Sequence, residues 1–336
     1  MSRFRLRLFC GQTRCTAIFI RTNARYAGGA RRRVGGLPRK RQIVRVLVLG
    51  GKGVIGSVVV RELVRRGHDV FGLARSGASA AKLGQSGATP IAGDIGSSDL
   101  WAGKLPQFGA VIHAACEFKA DMGAIDRRLL EGLLPVLAAQ PERPRFVYTG
   151  GCWLFGATGD EPATEETAFH PLPAFAWMIP QLRRVLAAAD IDGIVIHPAM
   201  VFTQHGGVFH RFAREAAEGE AVRVVESEAV RWPLVHSEDL ANLYALALER
   251  APAGSSYIGA ALEGLPVGRI ARAFTERFGT RHAAPQIVPV DAIAAELGEW
   301  ARGYALDQQL SGAKARRDLG WAPKHLDPES EIAELP

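Results

Sequence analysis

The sequence is poor in cysteine and has no long apolar runs. Four cysteines occur among 336 residues, and Cys116 and Cys152 stand beside apolar segments without the spacing of metal ligands. We therefore expect a reducing compartment and no bound metal. No uninterrupted apolar stretch approaches the roughly 18 residues that a membrane-spanning helix needs, so a soluble protein without a membrane span is expected.

Acidic residues are missing from the start of the chain. Of the 41 Lys and Arg residues, 13 lie between Met1 and Arg45, whereas the first carboxylate is Glu62. The remaining 28 basic residues face 34 acidic ones, so the formal net charge of +7 comes from the leading segment. The body of the chain is mildly acidic, and we do not expect it to bind nucleic acid.

The leading segment, residues 1–42, is rich in Arg and has only short apolar stretches. Three interpretations stay open: a mitochondrial presequence, an arm that binds nucleic acid or anionic lipid, and a non-native extension upstream of the real start. We leave this segment out of the predicted fold. The expected compartment is the cytoplasm, or the mitochondrion if the segment is a presequence.

From Val44 onward, short β-branched runs alternate with longer amphipathic segments, which is typical of strand-helix-strand units around a parallel sheet. The pattern predicts an α/β fold with a doubly wound Rossmann sheet and a smaller C-terminal substrate lobe. Strands are predicted at 45–50, 69–74, 89–94, 109–115, 145–150 and 193–199, with helices at 54–67, through 130–136 and at 181–189. The predicted divisions are a dinucleotide-binding domain at 43–200, a lobe partly interleaved with the sheet at 201–325, and a tail at 326–336. Ser237 or Asp239 is expected to cap a later helix.

The first predicted strand runs into a glycine-rich turn. Gly50, Gly53 and Gly56 have the GxxGxxG spacing of a dinucleotide-binding turn, and an amphipathic helix follows them. Gly50 permits the tight turn, Gly53 lets a pyrophosphate approach the backbone, and Gly56 lets the helix pack closely on the strand. The predicted contacts to the cofactor within this turn come from Gly50, Gly51, Gly53, Val54, Ile55 and Gly56.

The end of the second predicted strand indicates which nicotinamide cofactor is used. An NAD site usually presents Asp or Glu there, but this chain has Arg75 close to that point. A guanidinium favours the 2′-phosphate of NADP. We therefore predict NADP as the cofactor, with NAD as the alternative.

Six short segments occur along the chain in the order in which one known enzyme family has them. They are GGKGVIG, GDI at 93–95, VIHAA at 111–115, FVYTGG at 146–151, HPAMVF at 197–202 and VHSEDLA at 235–241. Over residues 43–325 the chain resembles the extended short-chain dehydrogenase/reductases, including the NAD-dependent epimerases and dehydratases. The resemblance implies that Asp94 and Ile95 border the adenine, that Ala114 and Ala115 line the ribose side of the cofactor, and that Pro198 and Ala199 lie near the nicotinamide. Because a Rossmann sheet binds its ligand at the carboxyl ends of the strands, Thr149 is expected near the nicotinamide as well.

The catalytic triad of that family is not matched in this sequence. The positions of its Ser, Tyr and Lys hold Gly151, Trp177 and Gln181, none of which can exchange a proton with a substrate. Substitute proton donors are sought near the predicted cofactor-side loops, and the candidates are Cys152, His170, His205 and His210.

The resemblance implies an oxidoreductase or an epimerase/dehydratase-like enzyme that acts on a small carbonyl or hydroxyl compound. A sugar nucleotide is one candidate substrate, because Arg231 stands near the place where epimerases hold a diphosphate. The alternative is a catalytically silent protein that senses NADP(H) or regulates a partner. A monomer or a homodimer is expected.

Overall fold

The computed structural model describes residues 43–118, 121–203, 206–279 and 284–335. Its strands are β1 (Arg45–Leu49), β2 (Asp69–Ala74), β3 (Thr89–Ala92), β4 (Ala110–His113), β5 (Arg145–Thr149), β6 (Asp192–Pro198), β7 (Met200–Thr203), β8 (Gly206–Gly207), β9 (Arg223–Val225), β10 (Arg231–His236), β11 (Ser255–Gly259), β12 (Leu262–Pro266) and β13 (Gln286–Val288). Seven of them form one sheet in the order β11-β6-β5-β4-β1-β2-β3.

All neighbouring strands of this seven-stranded sheet are parallel. Val46 of β1 faces Val70 of β2 on one side and Ala110 of β4 on the other. The chain builds outward from β1 through β2 to β3 and then crosses to β4 on the opposite side. This reversal leaves a crevice at the carboxyl ends of β1 and β4, where doubly wound folds bind ligands.

The helices are α1 (Val54–Arg65), α2 (Gly77–Gln85), α3 (Met122–Ala138), α4 (Met178–Ala187), α5 (His210–Ala217), α6 (Ser237–Arg250), α7 (Val267–Phe278), α8 (Val290–Leu297), α9 (Ala313–Leu319) and α10 (Pro328–Ala333). α1 buries Val58, Val59 and Leu63, which the 3.6-residue period places on one face. The predicted Rossmann fold is therefore confirmed. Within the described residues, no helix is both long and apolar enough to cross a membrane.

The chain beyond residue 200 adds two smaller sheets and also returns to the large one. β12, β10, β7 and β8 form a four-stranded sheet, and β13 pairs with β9. β11 then joins the edge of the large sheet, where Ser255 faces Ile194 of β6. α6 packs against α1, and Arg66 and Glu249 form an ion pair of 2.9 Å between these two regions.

The cap of α6 differs from the prediction. His236 caps the helix, because its Nδ1 accepts the backbone N–H of Glu238 at 3.3 Å, and Ser237 is already the first helical residue. Asp239 instead accepts the backbone N–H groups of Lys324 and His325, both at 2.8 Å. The prediction of Ser237 or Asp239 as the cap was wrong, because Ser237 lies inside the helix and the Asp239 carboxylate is already bonded to backbone N–H groups more than 80 residues away.

α2 has no counterpart in the sequence analysis. Its sequence, GASAAKLGQ, contains Gly, Ala and Ser and buries only Ser79 and Leu83, so it has little apolar periodicity. Ser76 caps it by accepting the backbone N–H of Ser79. Leu83 is 1% exposed, which indicates that tertiary packing stabilises this short helix.

Candidate functional site

A cavity of about 720 Å³ lies at the carboxyl ends of β1, β4, β5 and β6. Its walls come from the glycine-rich turn, from the segments after β4 and β5, and from residues far along the chain such as Trp300. The predicted site residues that line it are Gly53, Val54, Ile55, Ala114, Ala115, Thr149, Gly151, Cys152, Trp177, Pro198 and His210. The sheet topology therefore brings together residues that are distant in sequence.

The glycine-rich turn packs as tightly as its spacing predicts. Gly50 has a φ of +83°, and a Cβ there would lie 2.5 Å from the carbonyl oxygen of Ala114. A Cβ at Gly56 would lie 2.2 Å from the carbonyl oxygen of Gly50, so the first turn of α1 can approach the strand only without a side chain. Gly53 is different, since the only atom near its Cβ position is Gly50 O at 3.3 Å.

The amino end of α1 faces this cavity. Gly53 stands at the N-cap without a side-chain hydrogen bond, and the first turn contains no acidic residue. The N–H groups at the start of a helix have no partner within the helix, and the helix dipole places partial positive charge there. The turn thus offers hydrogen-bond donors to an anion.

Other predicted cofactor contacts lie outside the cavity wall. Gly50, Gly51 and Gly56 form the turn beneath it, and the side chain of Arg75 is 55% exposed and forms an ion pair with Glu117 at 2.9 Å. Asp94 accepts the backbone N–H of Gly96 at 2.8 Å and begins a short 3₁₀ helix, Ile95–Leu100. These residues are placed by the ends of β2 and β3.

The three residues at the expected triad positions are placed differently. A Cβ at Gly151 would meet no atom within 4 Å, so this position opens into the cavity. Trp177 lines the cavity, while its Nε1 donates to the carbonyl oxygen of Ala174 at 3.0 Å. Gln181 is 9% exposed on α4 and is not among the residues of the cavity wall.

The candidate proton donors do not converge. Burial raises the pKa of Cys152 to about 12, so its thiol releases a proton poorly near neutral pH. His170 is exposed and does not line the cavity, whereas His210 is exposed on α5 at the cavity wall. His205 and the leading segment 1–42 lie outside the described residues.

Arg231 is held away from the cavity by an acidic partner. Its Nε lies 2.9 Å from Asp307, and its Nη2 donates to the carbonyl oxygen of Gly159 at 2.8 Å. The hydrogen bond to the Asp307 carboxylate raises the pKa of Arg231 above its ordinary value. This guanidinium links β10 to two neighbouring loops and does not line the cavity.

A polar network of buried residues that the sequence did not predict lies at the cavity wall. The Nδ1 of His113 accepts the N–H of Ala115 at 3.4 Å, so its Nε2 carries the proton and donates to Asp126 at 2.7 Å. Tyr148 also donates to Asp126, at 3.0 Å, and burial raises the pKa of Tyr148. The register of β4 and β5 places His113 beside Tyr148, and the sequence carries no local pattern for that contact.

A second hydroxyl pair joins the cavity to the core. Thr149 Oγ1 and the phenol oxygen of Tyr244 are 2.6 Å apart, and Tyr244 is 0% exposed. Either oxygen can be the donor of this hydrogen bond. Because Tyr244 has no other hydrogen-bond partner within the described residues, donation by Tyr244 is the arrangement that leaves no buried O–H unsatisfied, and we assign that direction. Burial raises the pKa of Tyr244 well above its ordinary value, which keeps the phenol protonated. The hydroxyl proton of Thr149 is consequently available to the cavity.

Among known protein families, residues 46–258 of this chain match the NAD dependent epimerase/dehydratase family. Uncharacterized protein C2A9.02 of Schizosaccharomyces pombe is 30% identical over 305 residues, which cover 86% of this chain and 98% of that protein.

Two solved structures share the fold. The human epimerase family protein SDR39U1, solved with NADPH, is 20% identical with a TM-score of 0.72, over 87% of this chain and 98% of that one. The dTDP-glucose 4,6-dehydratase DesIV of Streptomyces venezuelae, solved as a double mutant with NAD, is 20% identical with a TM-score of 0.73, over 87% and 95% of the two chains. The resemblance to extended short-chain dehydrogenase/reductases is confirmed, and the chain belongs to the NAD dependent epimerase/dehydratase family.

Proposed function

We propose that this protein is an NADP(H)-dependent oxidoreductase that interconverts a small carbonyl compound and its alcohol. The observation that carries the proposal is the uncapped amino end of α1, which opens into the cavity directly above the glycine-rich turn. Partial positive charge and free N–H groups suit a pyrophosphate at that place.

The residues present fit a dinucleotide. The space above Gly53 would be filled by any side chain, and the missing side chains at Gly50 and Gly56 keep the turn compact. When bound, the nicotinamide supplies or removes a hydride. The proposed cofactor contacts are Gly50, Gly51, Gly53, Val54, Ile55, Gly56, Asp94, Ile95, Ala114, Ala115, Thr149 and Pro198.

The proposed preference for NADP rests on Arg75. Its guanidinium is half-exposed at the carboxyl end of β2, and among the described residues its ion-pair partner is Glu117. A surface ion pair of this kind contributes about 0–1 kcal/mol, so a 2′-phosphate can replace Glu117 at little cost. Of the two structural neighbours, the human protein was solved with NADPH and DesIV with NAD.

Thr149 is the proposed donor to the substrate oxygen. Tyr244 occupies one lone pair of its hydroxyl, so the hydroxyl proton can bond to a carbonyl oxygen in the cavity. This hydrogen bond would polarise the carbonyl and would take the place of the Ser that the family has at the position of Gly151. The proton that completes an alcohol then comes from water, because buried Tyr244 has no route for replacing one.

The occupants of the triad positions favour a second candidate, a catalytically silent NADP(H)-sensing protein. Trp177 has no titratable group, and Gln181 is absent from the cavity wall. This candidate shares the cofactor site with the first one but predicts no turnover. Carbonyl-dependent oxidation of NADPH therefore separates the two.

The test is a fluorescence titration of the full chain with NADPH and NADH. We expect NADPH to bind at least about tenfold more tightly, roughly 1.4 kcal/mol, and Gly53→Asp to abolish binding of both by placing a carboxylate where the pyrophosphate lies. Gly103→Asp is the matched control, because its Cβ position is open and lies outside the cavity wall. Equal binding by wild type and Gly53→Asp would refute the proposed site.

A further inference from the structure

One part of the cavity wall is aromatic. The indole rings of Trp153 and Trp300 stack with centroids 6.2 Å apart, and Tyr304 meets Trp153 edge-on at 5.8 Å. Phe175 contacts Trp153 at 5.4 Å, and Phe118 contacts Trp300 at 5.8 Å. All five line the cavity, and we refer to them as the aromatic wall.

The positions of the tryptophans depend on glycines behind them. A Cβ at Gly303 would lie 2.3 Å from the indole of Trp153, so this ring lies against backbone that only glycine leaves free. Trp177, beside the aromatic wall, packs in the same way on Gly123. A Cβ at Gly123 would lie 2.9 Å from the Cβ of Trp177. Rings held by such packing lose little entropy when a flat ligand binds.

The charges around the cavity do not suit a diphosphate in the substrate position. Among the described residues of its wall there is no Lys or Arg, and Arg231 is engaged by Asp307. Asp126 is the one carboxylate of the wall, and it accepts hydrogen bonds from His113 and Tyr148. A nucleotide sugar would therefore bring two negative charges to a wall of rings and apolar side chains.

We infer that the substrate is a flat apolar carbonyl compound, an aromatic aldehyde or ketone, whose ring packs on the aromatic wall. This inference rests on the proposed function. In the reductive direction, a hydride from NADPH forms a C–H bond at the carbonyl carbon, the C=O π bond breaks, and the oxygen takes a proton from water. The products are an aromatic alcohol and NADP⁺.

The experiment compares initial rates of NADPH oxidation with naphthaldehyde, benzaldehyde and propanal, and of NADP⁺ reduction with UDP-glucose, whose sugar ring carries hydroxyls to oxidise and no free carbonyl. Because ring contacts strengthen binding beyond the area that they bury, we expect kcat/KM for naphthaldehyde to exceed that for propanal roughly tenfold or more. A preference for propanal or UDP-glucose would overturn the inference. Calorimetry with naphthalenemethanol and NADPH, a pair that cannot react, measures binding to the wild type without turnover.

Variants locate the ring. Trp300→Ala removes one face of the aromatic wall, and Gly303→Ala displaces Trp153 without changing a residue of the wall. Both should raise KM for naphthaldehyde about tenfold and KM for propanal by a much smaller factor, whereas Trp300→Phe should recover much of the loss. The matched control is Gly84→Ala on α2, where a Cβ meets no atom within 4 Å.

The two proposals fail in different ways. If NADPH does not bind the wild type, the proposed function is wrong. If NADPH binds and naphthalenemethanol does not, the cofactor site stands and the inferred substrate class is wrong. If naphthaldehyde is reduced but Trp300→Ala changes its KM no more than that of propanal, the ring does not pack on the aromatic wall.

Discussion

The direction of the Thr149–Tyr244 hydrogen bond determines what each substitution does to stability. Thr149→Val keeps the shape of the side chain but leaves the buried phenol O–H of Tyr244 without an acceptor. An unsatisfied buried donor destabilises a fold by about 1–3 kcal/mol, so we expect a loss in that range. Tyr244→Phe removes the donor, and the half-buried hydroxyl of Thr149 can still bond to water in the cavity. Its expected loss is smaller, about 0.5–1.5 kcal/mol.

The double variant Thr149→Val/Tyr244→Phe isolates the interaction between the two hydroxyl groups. With Val at position 149 and Phe at position 244, no polar group is left unpaired, so the double variant should be no less stable than Thr149→Val alone. Urea unfolding of the wild type and the three variants gives the coupling free energy between the two sites. Additive losses, or a larger loss for Tyr244→Phe than for Thr149→Val, would refute the proposed direction. Thr149 would then donate to Tyr244 and could not also donate to a substrate.

Three further predictions concern the cofactor, the glycine-rich turn and pH. Arg75→Ala should weaken NADPH binding about tenfold with little effect on NADH, while Arg61→Ala, on the exposed face of α1, should change neither affinity in the same titration. Gly56→Ala should destabilise the fold by several kcal/mol in urea unfolding, since its Cβ would lie 2.2 Å from a carbonyl oxygen; retained stability would contradict the packing. Burial lowers the pKa of His197 from 6.5 to about 4, so the unfolded chain binds a proton more readily than the folded one. The free energy of unfolding should therefore fall by roughly 3 kcal/mol as the pH drops from 6.5 to 4. His197→Gln should flatten that pH dependence, and an unchanged slope would exclude His197 as its source.

Local patterns were sufficient to predict most of the large sheet. Buried strands such as β1 and β6 contain short apolar runs, Val46–Leu49 and Ile194–Ile196, and α1 shows a clear 3.6-residue period, so each is recognisable without its neighbours. The glycine-rich turn was predictable for the same reason, because the positive φ of Gly50 and the contact of Gly56 with Gly50 arise within seven residues of chain. The close approach of Gly50 to Ala114 is a long-range contact that the spacing does not show. α2 was missed because its sequence has no comparable period.

The site was predictable only where a residue's role follows from its own strand end. Ala114 directly follows β4, Thr149 is the last residue of β5, and Pro198 is the last residue of β6. All three line the cavity, because the carboxyl ends of these parallel strands meet at one edge of the sheet. Arg231 could not be assigned from sequence, because its partner Asp307 lies 76 residues away. Trp300 and Tyr304 gave no signal either, since nothing near them in the chain indicates that they complete the wall of a cavity built from β5.

The sequence by itself determined the fold, the location of the glycine-rich turn and the lack of titratable groups at 151, 177 and 181. These properties depend on residue type and on spacing within one or two elements. Only the tertiary structure decided which groups meet: His113 with Asp126 and Tyr148, Thr149 with Tyr244, and Trp153 with Trp300. Those contacts join residues from 13 to 147 positions apart, and such separations are closed by packing across the whole sheet, which no local pattern encodes.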